Sequence, residues 1–164
     1  MMLTENYHIV PVLSDLNLTD ADATMPGDSI NMENFHSCCF IVNCQDLDVA
    51  SCTCRVFSGA TDGNLASAVT FNYAWATAAA AGVDCDVLLA WTSAALVTMT
   101  FGTYDNYMLI IEVEAAAMDL ATGGGEEWLT IDFQDPTTGA TGNVSVIAIL
   151  TPRYKENVHV TALT

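Results

Sequence analysis

Tyr107-Met108-Leu109-Ile110-Ile111-Glu112-Val113-Glu114 is the stretch on which the fold turns. Tyr107, Leu109, Ile111 and Val113 share one side of an extended chain, and Glu112 and Glu114 project from the other. That period of two marks a strand with one face buried. It recurs in Val69, Phe71, Tyr73 and Trp75 set against Thr70, Asn72 and Ala74, and in Leu129, Ile131 and Phe133 set against Trp128, Thr130 and Asp132. Further strands are predicted over residues 7–13, 35–43, 51–57, 87–91, 96–101 and 143–150. Between them stand turn formers: Pro26-Gly27-Asp28, Ser58-Gly59, Asp62-Gly63-Asn64, Gly123-Gly124-Gly125 and Asp135-Pro136. Helix formers gather only over 115–121, with a second short run over 76–82. Eight or more short strands at this spacing predict an all-β chain, an antiparallel β-sandwich or jelly roll with at most one or two short helical turns. The apolar face is carried by Phe71, Tyr73, Trp75, Leu109 and Ile111, and the sequence leaves open whether it meets the core or a partner.

A chain of 164 residues is the size of one domain. The reading is a single sandwich over 1–164, with 1–30 as an N-terminal strand plus an acidic loop or arm and 152–164 as a C-terminal tail. At this length roughly 70% of the unfolded surface is buried, so a core forms without help from disulfides. Charged residues make up only 14% of the chain, against about 25% in an average soluble domain. Mean hydropathy is +0.36. So little ionic surface points to an extensive apolar interface with neighbours.

The charge that is present has one sign. Twenty acidic residues face three basic ones, Arg55, Arg153 and Lys155, for a net charge of −17. Phosphate backbones and anionic membrane surfaces repel such a chain, so nucleic acid and membranes are not expected partners. Residues 1–11 carry neither a basic segment nor an apolar one of the kind that directs secretion. No apolar run approaches the ~20 residues a spanning helix needs. Synthesis in a cytosol is expected.

Cysteine is the unusual component. Cys38, Cys39, Cys44, Cys52 and Cys54 fall within 17 residues, and Cys85 lies apart. Cys52 and Cys54, two apart on a strand, leave the same face, while the adjacent Cys38 and Cys39 leave opposite faces. Three readings are open: buried thiols acting as small hydrophobes, a structural metal, and disulfides within the chain or between subunits. The paired Cys-x-x-Cys knuckles of a zinc site are absent from the sequence. Disulfide or crosslinking roles for Cys38, Cys39, Cys44, Cys52, Cys54 and Cys85 are the favoured reading. Since a cytosol is reducing, the bonds would form after release.

No catalytic or cofactor constellation emerges. His8, His36 and His159 stand outside ligand spacing of one another. Asp20, Asp22 and Asp28 lack the glutamate-closed loop that holds calcium. Gly123-Gly124-Gly125 is not followed by the Lys-Ser/Thr of a phosphate cradle. Glu112 and Glu114 share a strand face as a glycosidase pair might, but no aromatic sugar platform accompanies them. The chain is expected to bind and not to catalyse, with no cofactor.

The layout from end to end is familiar. An opening Tyr7-His8-Ile9-Val10-Pro11 strand leads through an acidic linker to Ser29-Ile30-Asn31-Met32-Glu33-Asn34-Phe35 and an apolar strand. Val146-Ile147-Ala148-Ile149-Leu150-Thr151-Pro152-Arg153-Tyr154 and a short tail close the chain. This resembles a family of small virion structural proteins of tailed bacteriophages, of the capsid decoration or cement type. The resemblance spans most of the chain and departs furthest around the cysteine cluster. It implies a β-sandwich on the outer head surface, partnered by the major capsid protein and by copies of itself in a trimer or other symmetric cluster. Charge agrees with an external position, because packaged DNA would repel a −17 subunit facing inward. Other virion places (neck, tail tube or head fibre) are the alternative, followed by a cysteine-based metal- or redox-binding β-domain.

Overall fold

In a computed structural model of the chain, residues 3–18, 24–48, 50–78, 82, 84–122, 125–134, 141–154 and 163 are described. Twelve strands are named among them: β1 (His8–Asn17), β2 (Thr24–Pro26), β3 (Ile30–Asn31), β4 (Phe35–Gln45), β5 (Ser51–Gly59), β6 (Ser67–Ala68), β7 (Phe71–Ala76), β8 (Thr92–Ala94), β9 (Leu96–Thr100), β10 (Met108–Glu114), β11 (Trp128–Gln134) and β12 (Asn143–Pro152). Three short helices, α1 (Leu3–Asn6), α2 (Phe101–Tyr104) and α3 (Ala115–Thr122), lie between them. The strands form two antiparallel sheets packed face to face, the β-sandwich that the period of two predicts. The first sheet runs β1-β12-β4-β10-β7-β8. In the second, β11 and β5 form the centre, flanked by β2 and β3 on one side and by β6 and β9 on the other.

Alternation decides which side chains meet between the sheets. From the first sheet, β4 turns Cys38, Phe40, Val42 and Cys44 inward, β10 turns Leu109, Ile111 and Val113, and β12 turns Val144, Val146, Ala148 and Leu150. The second sheet answers with Cys52, Cys54 and Val56 of β5 and Leu129, Ile131 and Phe133 of β11. Phe40, Phe101 and Phe133 are wholly buried, and each such side chain contributes on the order of 1.5–3 kcal/mol through removal from water. Trp75 and Tyr73 lie opposite Leu109 and Ile111 across the β7–β10 ladder, and Phe71 turns the same way, so this apolar face meets the core and not a partner. Trp75 stacks on Tyr104 with ring centroids 4.0 Å apart, and Tyr107 closes the cluster edge-on.

Two departures from the sequence reading have physical causes. Residues 87–91 do not form a strand. One bridge pairs Leu88 with Ala76, the Leu89 amide donates to the Trp75 carbonyl, and Val87, Leu88, Leu89 and Trp91 remain exposed. An unbroken apolar run has no period of its own, and here no second layer covers it. The strand predicted over 96–101 stops at Thr100, because Phe101 turns into α2 to bury its ring. The helix predicted over 115–121 is α3, which buries Met118. Of the helix predicted over 76–82, Ala76 belongs to β7, Thr77, Ala78 and Gly82 are not helical, and residues 79–81 lie outside the described residues. So do Gly123, Gly124, Asp135, Pro136, Asp20, Asp22, Lys155 and His159.

At Gly59 the chain allows nothing larger. A Cβ there would collide with the backbone carbonyl oxygen of Asn64, so the loop after β5 folds directly over the strand end. That loop shields polar groups on the outer side of the second sheet.

Candidate functional site

All six cysteines are free thiols. The intrachain disulfides expected among Cys38, Cys39, Cys44, Cys52, Cys54 and Cys85 therefore do not form, and the register shows why. Cys38 lies opposite Val113 and Leu150, Cys39 opposite Glu112 and Ile149, Cys44 opposite Val144, Cys52 opposite Met99, and Cys54 opposite Val97 and Phe133. No cysteine faces another across a ladder, and where Cys44 and Cys54 come near each other across the core they remain unbonded. Cys38, Cys44, Cys52 and Cys54 are buried, each filling the place of a small hydrophobe. Burial pushes the Cys44 thiol up to about 12, with Asp105 adding to the effect, and carries Cys38 and Cys54 well above the ordinary thiol value. Cys39 points to the other side of β4, half-buried, and is raised to about 11 by burial and then by the charge of Glu112. Among the described residues, no group of three or more His, Cys, Asp or Glu is arranged to hold a metal ion.

Reactivity should follow this division. Native protein treated with iodoacetamide at pH 8 is expected to take two adducts, at Cys85 and more slowly at Cys39, and six after unfolding. A thiol raised from 9.0 to about 11 loses about a hundredfold in thiolate and regains about tenfold in intrinsic nucleophilicity, so Cys39 reacts about tenfold slower than an open thiol. Intact mass after timed quenching counts the adducts, and rapid native labelling of four or more sites would contradict the sealed core.

The outer side of the second sheet holds a group that alternation alone conceals. Thr130 and Asp132 sit on the face of β11 opposite the core side chains, yet both are fully buried. Ser29 shares a 2.7 Å hydrogen bond with Thr130, and the Gly63 amide donates to the Ser29 hydroxyl at 3.0 Å. Arg55, opposite Asp132 across the β5–β11 ladder, reaches it through Nη2 at 2.8 Å and lies over the Phe57 ring. Arg55 Nε and Asp132 Oδ1 are buried without partners.

The outer side of the first sheet is different, and it is the surface on which a function can rest. Register places Pro11 opposite Ile147, Ile147 opposite Ile41, Ile41 opposite Ile110, and Ile110 opposite Ala74. One apolar row thus crosses five strands on the side away from the core, exposed at Pro11 and Ile147, half-covered at Ile41 and Ile110, and buried at Ala74. A second row runs Ile9, Ile149, Cys39, Glu112, Asn72 and Ser93. On the other flank, Met108 lies opposite Ala76 and Ala76 opposite Leu88. Ile147 is 47% exposed and Ile9 39%, while Ile41, Ile110 and Ile149 are half-buried against one another. Isolated exposed apolar residues are ordinary, whereas a contiguous sheet face of this kind marks a binding surface.

The second row opens into a depression of about 520 Å³ beside α3, lined by Tyr7, Ser37, Cys39, Asn72, Glu112 and Glu114 among others. Its two carboxylates are exposed. Of the described arginines, Arg55 is tied to Asp132, and Arg153, which donates from Nε to the Phe35 carbonyl at 3.0 Å, lines a neighbouring depression with Ser37 and Glu114. The glutamates singled out as a pair in the sequence therefore rim an apolar face. The isoleucines beside them were missed, although Ile147-Ala148-Ile149-Leu150 and Leu109-Ile110-Ile111 run apolar without alternation, the mark of a strand covered on both sides.

No protein-family model and no curated protein matches the chain. Among solved structures, one similar chain comes from the structure of infectious bursal disease virus Gt strain. The two are 9% identical, the alignment covers 94% of this chain and 43% of that one, and the TM-score is 0.16, a likeness too remote to bear on fold or function.

Proposed function

We propose that this protein is a structural component of a tailed-bacteriophage virion, most specifically a decoration or cement subunit that binds the outer head surface and acts by adhesion. Its partners are the major capsid protein and further copies of itself. The observation that carries the reading is the apolar row across the outer side of the first sheet, on a chain whose surface is otherwise acidic. A sandwich with one sheet face inside its own core and the other face apolar and open is built to be covered by a neighbour. Acidity suits the exterior of a particle whose interior holds phosphate. A subunit of this kind stabilises a shell by mass action, since it binds the assembled lattice and not the free subunits. Four of the six thiols are sealed in the core, which weighs against a cysteine-based metal or redox role.

Electron microscopy of purified virions from phage carrying the gene, compared with particles from a deletion strain, tests the assignment. Added density on the outside of the head that vanishes with the gene is the expected result. Density at the neck, in the tail tube or on a fibre would move the protein to that place, and an unchanged virion would remove the reading.

A further inference from the structure

We propose that the outer face of the first sheet docks a non-identical protein surface with an aliphatic centre and a flanking lysine or arginine. The row Pro11–Ile147–Ile41–Ile110 receives the aliphatic side chains, and the depression holding Glu112 and Glu114 receives the cation. This deepens the proposed function, on which the identity of the natural partner rests, but the recognition chemistry stands on the surface itself.

Two observations choose this occupant over a second copy of the chain. The first is geometric. The apolar row and the depression are neighbouring rows of one sheet, because Ile41 and Cys39 are two residues apart on β4, and Ile110 and Glu112 are two apart on β10. One extended segment running along the strand direction therefore spans both. The second is charge. The face carries Glu112 and Glu114, Arg55 is held at Asp132, Arg153 stands at the edge beside Glu114 with its Nε on the Phe35 carbonyl, and the chain as a whole is at −17. A second copy would bring carboxylate against carboxylate, and like charges brought together at an interface oppose association strongly. A basic partner reverses that sign and also explains the polar lining: Ser37, Asn72 and Tyr7 supply hydrogen-bond acceptors around the carboxylates for a multi-donor head group.

The test uses the isolated chain and a defined probe, a synthetic peptide with isoleucine and arginine in turn at every second position and serine between, so that both face the sheet together, with a control in which glutamate replaces arginine. Backbone amide shifts are followed by NMR during titration. The arginine peptide is expected to move the amides of Cys39, Ile41, Ile110 and Glu112, with affinity falling as salt is raised. Ile147→Asp, at a position exposed enough to tolerate the change, is expected to weaken it at least about tenfold, the loss of a central anchor contact. Glu112→Gln combined with Glu114→Gln is expected to weaken it about three- to fivefold while leaving the fold intact, the scale of exposed charge pairs. Equal binding of the glutamate peptide, indifference to Ile147→Asp, or a concentration-dependent dimer that Ile147→Asp abolishes would each overturn the proposal. The two readings fail separately. Particles that keep their decoration with Ile147→Asp sink the docking face and leave the virion role, whereas peptide binding by a chain absent from virions does the reverse.

Discussion

Arg55→Ala is expected to lower the unfolding free energy by about 3–5 kcal/mol, the loss seen when one partner of a buried ion pair is removed. The magnitude follows from an asymmetry in the pair. Arg55 keeps 25% of its side chain in solvent, and Asp132 keeps none. Truncating the arginine leaves a carboxylate that water cannot reach, already short of one partner at Oδ1, and the contact with the Phe57 ring is lost as well. For a domain of this size each kcal/mol moves the melting temperature by roughly 2–4 °C, so a fall of roughly 10 °C is expected by calorimetry. The double variant Arg55→Met with Asp132→Leu should recover most of that loss, since an apolar pair removes the desolvation penalty together with the attraction. A loss below about 1 kcal/mol for Arg55→Ala would place the pair in the class of exposed salt bridges and contradict the burial of Asp132.

That pair also shows where the sequence stops being readable. Along β11 the alternation of Leu129, Ile131 and Phe133 with Thr130 and Asp132 names the core face, and the structure agrees. It does not reveal that the opposite face is covered too. The cover comes from Ser29 and from the loop through Gly63, residues distant in sequence that converge over the strand. β10 is legible for the complementary reason: Glu112 and Glu114 face solvent, so polarity and burial coincide. On β4 the spacing alone separates Cys39 from Cys38 and pairs Cys52 with Cys54 on β5, all as observed. Bond formation is another matter, because it depends on which residues register and sheet packing bring face to face, and no cysteine lies opposite another across a ladder. The outward isoleucines of β12, β4 and β10 are individually unremarkable in the sequence. They become a surface only when register aligns Ile147, Ile41 and Ile110 in one row.

The sealed thiols make a second large effect expected, in the alkaline range. Cys38, Cys44 and Cys54 are buried with thiol values raised above the ordinary 9.0, Cys44 to about 12. In the unfolded chain the same thiols ionise near 9, so above that pH the folded state holds more protons than the unfolded one. Stability then falls as pH rises, by up to about 1.4 kcal/mol per pH unit for each thiol. The contribution is fully present below about pH 9 and is lost progressively toward the raised values, as far as pH 12 for Cys44. By pH 10 Cys44 alone has given up on the order of 1 kcal/mol, and Cys38, Cys54 and the half-buried Cys39 act in the same direction, against the 5–15 kcal/mol that holds a typical domain folded. Urea unfolding at pH 7, 9 and 10 measures this directly. Removing Cys44 and Cys54 by alanine substitution weakens the core at every pH, but it should reduce the loss between pH 7 and pH 10, leaving only the part that Cys38 and Cys39 supply. The slope and not the absolute stability is therefore the diagnostic. A stability that stays level to pH 10, or a slope unchanged in the double variant, would mean that these thiols meet water in the native protein, and the closed interior between the two sheets would have to be redrawn.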